Sequence, residues 1–224
     1  MAAERLLHRG LVLIGTQLTP AQLSALKVYS SELLRWAQRA NVTGFRSEEA
    51  IVREGFLRSL TYRAAFEPVP GIRAVDIGSG AGFPGLVLKV CYPGLEMVLV
   101  ESARRRAAFL RHLIRRLGLS GIRCLQARAE ELHGDAEHRG RYQLAFARAL
   151  GALPDVVSLA EPFLSPGGRL ILHMGRRAAE ALPAMRARLA AMGMRTTVCE
   201  APAIEAGAPP THLLVLERAS SRDP

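Results

Sequence analysis

The sequence is poor in cysteine and lacks long apolar runs, and each shortage excludes a class of protein. It has three cysteines, Cys91, Cys124 and Cys199, whose odd number and wide spacing argue against a disulfide framework or a zinc site. No apolar run is long enough to cross a bilayer, and the stretch from Leu11 to Ile14 is too short for the core of a secretory signal. We therefore expect a cytoplasmic protein without membrane contact and without a metal site.

What the sequence does have is apolar and basic character. Hydrophobic residues make up 49% of its 224 residues, which excludes extensive disorder and allows one α/β domain with a sizeable core. The formal net charge is +10. Such an excess favours a polyanionic partner, nucleic acid first, while the alternative is an Arg-rich composition that only solvates the surface.

The first 70 residues are predicted to be helical. Residues 1–15 mix basic and apolar types, and we expect them to be poorly ordered. A first helix is predicted to begin with Thr19 as N-cap and Pro20 in its first turn, and to end near Asn41. A second helix is predicted from Ser47 to Phe66, with acidic residues at its start.

Pro68, Pro70 and Gly71 separate this helical part from a region in which strands and helices alternate. The predicted strands are 73–77, 96–100, 123–126, 144–147, 169–174, 195–200 and 212–217, and the predicted helices are 84–91, 103–117, 154–164 and 178–192. This alternation predicts a mostly parallel sheet with helices on both faces, ending in an antiparallel hairpin at one edge. The predicted units are a helical extension at 1–70, an α/β domain at 71–218 and a tail at 219–224.

The glycine turn, residues 76–85, lies between a predicted strand and a predicted helix and reads Asp-Ile-Gly-Ser-Gly-Ala-Gly-Phe-Pro-Gly. Glycines allow a tight turn and a close approach to a cofactor, either a dinucleotide or S-adenosylmethionine. A carboxylate at Asp76 suits the ammonium and sulfonium of S-adenosylmethionine and opposes a pyrophosphate. The glycine turn, the edge hairpin and the turn Ser165-Pro166-Gly167-Gly168 together predict a Rossmann-like class I methyltransferase.

Three further positions are predicted to contact this cofactor. Glu101 ends the next strand and can accept hydrogen bonds from ribose hydroxyls, a feature that dinucleotide enzymes share. The segment that contains Ala129 and Glu130 follows the third strand and suits the adenine edge, although Glu130 is equally consistent with a solvated helix start. Arg148 follows the fourth strand and is predicted to anchor the cofactor or the target base, with a surface arginine as the alternative.

No catalytic residue is assigned from the residue patterns. Methyl transfer is an in-line displacement in which positioning lowers the barrier. Methyltransferases that act on pyrimidine C5 use a nucleophilic cysteine, and none of the cysteines follows a strand end. Arg104, Arg111 and Arg115 share one helix face and are candidates for phosphate contacts, with a solvated face as an equal alternative.

The sequence resembles the ribosomal RNA small subunit methyltransferase G family, also called glucose-inhibited division protein B, over nearly its whole length. The matching elements are Arg35-Trp36, Asn41-Val42-Thr43, the glycine turn, Glu101-Ser102, Arg105-Arg106, Phe109-Leu110-Arg111, Arg128-Ala129-Glu130, Arg148-Ala149 and His212-Leu213. The resemblance implies methyl transfer to N7 of a guanine in small-subunit ribosomal RNA, with the RNA or the small ribosomal subunit as partner. Guanine N7 carries a lone pair and no proton, so this chemistry needs no general base. We expect the protein to be a monomer.

The complete predicted site joins the residue patterns to this resemblance. The predicted cofactor residues are Asp76, Gly78, Ser79, Gly80, Gly82, Phe83, Glu101, Ala129, Glu130 and Arg148, and the predicted RNA-binding residues are Arg46, Arg104, Arg105, Arg111 and Arg148. The chain has Gly55, Arg58 and Met174 where the family commonly has His, Asp and Lys. Two alternatives remain: a methyltransferase of small molecules or proteins, and an RNA-associated cofactor-binding protein with reduced activity.

Overall fold

The computed structural model describes residues 2–148 and 151–220, without the side chain of Arg177. A seven-stranded sheet has the order β3-β2-β1-β4-β5-β7-β6. Its strands are β1 Arg73–Ile77, β2 Glu96–Val100, β3 Ile122–Leu125, β4 Tyr142–Ala147, β5 Leu164–His173, β6 Met194–Ala201 and β7 Thr211–Arg218. The strands β1 to β5 pair in parallel, and β7 is antiparallel to both β5 and β6. The predicted mostly parallel sheet and its edge hairpin are confirmed.

The described helices begin with the N-terminal extension. They are α1 Ala2–Leu13, α2 Pro20–Ala40, the composite helix α3 at 48–65, α4 Gly85–Cys91, α5 Arg104–Arg116, α6 Leu153–Ala160 and α7 Arg176–Ala191. The expectation of poor order in residues 1–15 is wrong for residues 2–13, because α1 buries Ala3, Leu7 and Leu11 in the core. These residues recur every four positions and therefore share one face of the helix.

The predicted ends of α2 are confirmed by its capping groups. The Thr19 hydroxyl accepts a hydrogen bond from the Gln22 backbone N–H, and the Gln22 side chain accepts one from the Thr19 N–H. Asn41 closes the helix in the left-handed conformation, with φ of 49°. The composite helix departs from its prediction, because a π-helical segment, Ile51–Leu57, interrupts its α-helical turns and a 3-10 turn, Thr61–Ala65, ends it.

The segment predicted as a turn before the fifth strand lies inside β5. Tyr142 pairs with Leu164 and Leu144 pairs with Arg169, so β5 carries extra residues that form a bulge. A β-carbon on Gly168 would lie 2.7 Å from the Tyr142 carbonyl oxygen. A Pro-Gly-Gly sequence usually indicates a loop. In this strand it instead allows close packing of the backbone.

Apolar side chains cover both faces of the sheet. On one face the core is continuous with the N-terminal extension, where Tyr29 and Phe56 pack with Phe83 and Phe109. The other face is covered by α6 and α7. The division into units at residue 70 stays a prediction, and Ala149 and the tail residues 221–224 lie outside the described part of the chain. No helix within 2–148 or 151–220 is long and apolar enough to span a membrane.

Candidate cofactor site

The carboxyl ends of four parallel strands meet at one edge of the sheet. Ile77 at the end of β1 pairs with Val100 of β2 and with Ala147 of β4. Val100 in turn pairs with Leu125 at the end of β3. The predicted cofactor residues lie at these strand ends or within six residues after them, so the fold brings them together at the place where doubly wound folds bind ligands.

The glycine turn adopts a backbone conformation that L-residues with side chains rarely take. Gly78, Gly80 and Gly82 have φ of 65°, 59° and 99°. The Ser79 hydroxyl donates to the Asp76 carbonyl oxygen at 2.8 Å, and the Gly82 N–H donates to the Ser79 carbonyl oxygen at 2.7 Å. These bonds close the turn on itself and fix its shape.

Two glycines of this turn face different surroundings. A β-carbon on Gly80 would meet only the Gly78 carbonyl oxygen, at 3.8 Å, which is an ordinary contact. A β-carbon on Gly82 would overlap the hydroxyl of Tyr29 and press on Leu86 and Leu110. Gly80 therefore lies on the open side of the turn, whereas Gly82 faces the core.

Glu101 ties the turn to the end of β2. Its carboxylate is 4% exposed and accepts hydrogen bonds from the backbone N–H of Gly80 at 2.8 Å and of Ala103 at 2.7 Å. A carboxylate has about four lone pairs, so the same group can still accept hydrogen bonds from a ligand's hydroxyls.

Asp76 and Arg148 place opposite charges below the turn. The Asp76 side chain is buried, one oxygen accepts a hydrogen bond from the Gly85 N–H at 3.0 Å, and burial raises its pKa to about 7. Burial lowers the pKa of the half-buried Arg148. Within the described residues, four buried side-chain atoms have no hydrogen-bond partner: Asp76 Oδ1, Arg148 Nη1 and the hydroxyl oxygens of Tyr62 and Thr211. Of these, only the atoms of Asp76 and Arg148 belong to acidic or basic groups. Such groups cost free energy, so each is suited to a ligand.

The other predicted cofactor residues differ in exposure. Ala129 is buried and Glu130 is exposed, both in a 3-10 turn, Ala129–Leu132, that follows β3. The ring of Phe83 is 8% exposed and stacks on Tyr29 in the core. Any contact between this side chain and a cofactor stays a prediction.

The predicted RNA-binding arginines other than Arg148 lie on the surface. Arg104, Arg105 and Arg111 are exposed on α5, and Arg111 donates to the Gln126 side-chain oxygen at 3.0 Å. Arg46 lies on the loop between α2 and α3 and donates to the carbonyl oxygens of its own loop. That loop reaches the glycine turn, because the ring of Phe45 lies 5.7 Å from that of Phe83.

A group of contacts around His173, beside Arg148, was not predicted. His173 Nε2 lies 3.2 Å from the Thr61 hydroxyl and 3.1 Å from the Arg58 carbonyl oxygen, and burial lowers the His173 pKa to about 4. The Tyr62 ring packs edge-on against His173 at 4.8 Å. These contacts fasten α3 to the end of β5. They join positions more than a hundred residues apart, so no local pattern marks them.

The predicted absence of a metal site stays a prediction. Asp135, Glu137 and His138 have ligand atoms within 4.8 Å of one another, but the two acids are exposed. His138 Nδ1 lies 2.6 Å from the Tyr142 hydroxyl, and Glu137 is paired with Arg123. Since these groups already have protein partners, they do not indicate a metal.

Comparison with known proteins places the chain in a family. The family model described as rRNA small subunit methyltransferase G matches residues 22–204. The chain belongs to this family. A family member from Chloroflexus aggregans, named ribosomal RNA small subunit methyltransferase G, is 35% identical over 215 residues, which cover 96% of this chain and 90% of that protein. A Roseiflexus member of the same name is 37% identical over 204 residues, or 91% and 86%.

The fold is shared with other methyltransferases. The solved structure of precorrin-6y C5,15-methyltransferase from Geobacter metallireducens aligns with a TM-score of 0.52 at 14% identity, covering 73% of this chain and 88% of that one. At such low identity the likeness bears on the fold alone. The expected family and the expected class I methyltransferase fold are thus both confirmed.

Proposed function

We propose that this protein is an S-adenosylmethionine-dependent methyltransferase that modifies N7 of a guanine in small-subunit ribosomal RNA. The observation that carries the cofactor assignment is the pair of buried, unpartnered atoms Asp76 Oδ1 and Arg148 Nη1 in the described structure. The amino-acid end of S-adenosylmethionine has an ammonium and a carboxylate, which match these two charges. The relatives' names, ribosomal RNA small subunit methyltransferase G, support the RNA substrate.

The remaining predicted residues fit other parts of the same cofactor. The open side of Gly80 leaves room for a ligand against the backbone. Glu101 is placed to accept hydrogen bonds from ribose hydroxyls beside it. The turn at Ala129 and Glu130, which follows β3, would hold the adenine edge.

The protein's task in this reaction is positioning. When bound, S-adenosylmethionine would supply a methyl group on a positively charged sulfur. Transfer to the guanine N7 lone pair would form the N–CH3 bond as the S–CH3 bond breaks, leaving S-adenosylhomocysteine and a positive charge on the guanine, and no proton would be lost. Neither candidate base near this edge is left for proton transfer: His173 is hydrogen-bonded to Thr61 and Arg58, and Asp76 accepts from Gly85 with Oδ2 and is assigned to the cofactor's ammonium through Oδ1. Alignment of the reacting atoms, with Arg148 anchoring the cofactor or the target base, supplies the rate enhancement.

The basic surface supports an RNA partner. The chain carries a formal net charge of +10, and Arg104 and Arg105 lie exposed at the start of α5. Exposed arginines contact phosphates with little sequence preference and hold the RNA against the protein. The proposal also implies a cytoplasmic enzyme, since ribosomal subunits are its target, and we expect it to act as a monomer.

Methyl transfer to defined RNA tests this function. The protein is incubated with S-adenosylmethionine labelled in its methyl group and with small ribosomal subunits, or their naked RNA, from cells that lack it. We expect label at one guanine, located by its N7-specific sensitivity to reductive cleavage, and none with Gly80→Asp. Label in protein or small molecules instead, or cofactor binding without transfer to any RNA, would overturn the proposed substrate.

A further inference from the structure

One side chain of the N-terminal extension reaches the glycine turn from below. Tyr29 of α2 is completely buried, and its hydroxyl donates a hydrogen bond to the Ala81 carbonyl oxygen at 2.5 Å. The two residues lie 52 positions apart in the sequence. A buried carbonyl without a partner costs free energy, so this bond favours one conformation of the turn.

The position of this hydroxyl is fixed by ring packing. The Tyr29 ring lies parallel to that of Phe83, with centroids 5.5 Å apart and an interplanar angle of 4°. Phe56 and Phe109 pack around it at 5.3 and 6.5 Å. Tyr29 therefore has little freedom to move away from the turn, and it contacts the turn both at Ala81 and at Phe83.

The same hydroxyl explains one of the glycines. A β-carbon on Gly82 would overlap the Tyr29 oxygen, whereas one on Gly80 would meet a single ordinary contact. Glycine at position 82 is thus required by its φ of 99° and by Tyr29 together with Leu86 and Leu110, whereas the space beside Gly80 is open to a ligand. The glycine turn thus packs against Tyr29 on its inner side and leaves space for a ligand on its outer side.

We propose that Tyr29 is a positioning residue for S-adenosylmethionine: it holds the inner side of the glycine turn so that the outer side is ready for the cofactor. This inference rests on the proposed function for the identity of the ligand. Gly80 donates to Glu101 from this turn, so a displaced turn also displaces the Glu101 contact. A binding site that is ordered before binding spares the ligand the cost of ordering it.

The substitution Tyr29→Phe tests the inference because it keeps the ring and removes only the hydroxyl. Tyr142→Phe is the matched control, since Tyr142 is also fully buried, its hydroxyl is also hydrogen-bonded, to His138, and it lies at the start of β4. By calorimetry we expect Tyr29→Phe to raise the Kd for S-adenosylmethionine about three- to tenfold. Tyr142→Phe should leave this Kd within about twofold. At saturating cofactor, Tyr29→Phe should change kcat by less than about twofold.

A second measurement keeps the test independent of overall stability. Hydrogen exchange of the Gly82 and Phe83 amides, both bonded to the Ser79 carbonyl oxygen, reports the order of the turn without a ligand. We expect faster exchange in Tyr29→Phe and unchanged exchange in Tyr142→Phe. Equal cofactor Kd values for wild type and a folded Tyr29→Phe would overturn the inference, as would a Kd that rises equally in both variants.

The two proposals fail differently. If the wild-type protein does not bind S-adenosylmethionine, the proposed function is wrong. If the wild type binds it and methylates RNA but Tyr29→Phe binds it equally well, only the positioning role is wrong.

Discussion

At the carboxyl edge of the sheet, the predicted cofactor residues Asp76 and Glu101 are buried and hydrogen-bonded to the backbone, whereas the predicted RNA-binding residues of α5 are exposed. Glu101 holds two backbone N–H groups and Asp76 holds a third. Arg104 and Arg105 extend from the first turn of α5 into solvent. The first arrangement is ordered before a ligand binds, so single changes there should be costly. The exposed arginines would bind RNA through their combined charge, so a single substitution there should lower RNA affinity only slightly.

The largest effect is expected from Gly80→Asp. The substitution places a side chain, and a negative charge, on the open side of the turn at φ of 59°. Asp is among the residues that tolerate this φ best, so the fold should survive. We expect the affinity for S-adenosylmethionine, measured by calorimetry, to fall about a hundredfold or more.

Gly118→Asp is the control for that change. Gly118 has φ of 61°, and a β-carbon there would meet nothing within 4 Å. It lies after α5, away from the carboxyl ends of the strands. The same substitution therefore has a similar backbone cost, because φ is similar, but its side chain does not enter the site. An unchanged affinity in Gly80→Asp, or an equal loss in both variants, would contradict the placement of the cofactor.

Arg148→Lys should have the next largest effect, because it keeps the charge but loses the planar fork of the guanidinium. We expect kcat/KM for RNA methylation to fall about ten- to a hundredfold, which corresponds to roughly 1.4 to 2.7 kcal/mol. Separate measurements of cofactor Kd and RNA Kd sharpen the comparison, since Arg148 stands in both predicted sets. If neither the Kd values nor the rate changes, Arg148 contacts neither the cofactor nor the RNA.

A change of pH is expected to have a smaller effect on the affinity for S-adenosylmethionine. Burial raises the Asp76 pKa from 3.8 to about 7, so the folded protein binds the proton more tightly than the unfolded chain. This group therefore lowers the stability of the free protein as pH rises from about 4 to about 7. Binding of the cofactor's ammonium needs the carboxylate, so its affinity should increase several-fold between about pH 6 and about pH 8.

Asp76→Asn isolates that dependence. An amide does not titrate, so the ratio of cofactor Kd values at the two pH values should be nearer to one than in the wild type, as measured by calorimetry. The same ratio in both proteins would show that another group causes the pH dependence. The variant would also weaken binding at the higher pH, where the wild type carries the charge.

The sheet and the glycine turn could be predicted because each leaves a local mark on the sequence. Strands end where the apolar period ends, and the glycines of the turn reflect backbone conformations that other residues avoid. Tyr29 leaves no such mark, because its partner Ala81 is distant in sequence and its ring is indistinguishable from any core residue. The helix α1 and the bulge before Arg169 were mispredicted for the same reason: each depends on a packing partner that only the fold supplies.

The smallest effect is expected at the RNA surface, where Arg104→Gln and Arg105→Gln each remove one exposed charge. If each contacts one phosphate, RNA affinity should fall only a few-fold, and the slope of log affinity against log salt should become shallower by about one for each substitution. Cofactor affinity should not change. Arg186→Gln, an equally exposed arginine on α7 over the opposite face of the sheet, is the matched control and should alter neither value. An unchanged salt slope in the two α5 variants would move the RNA contact elsewhere, with the Arg46 loop beside Phe83 as the next surface to test.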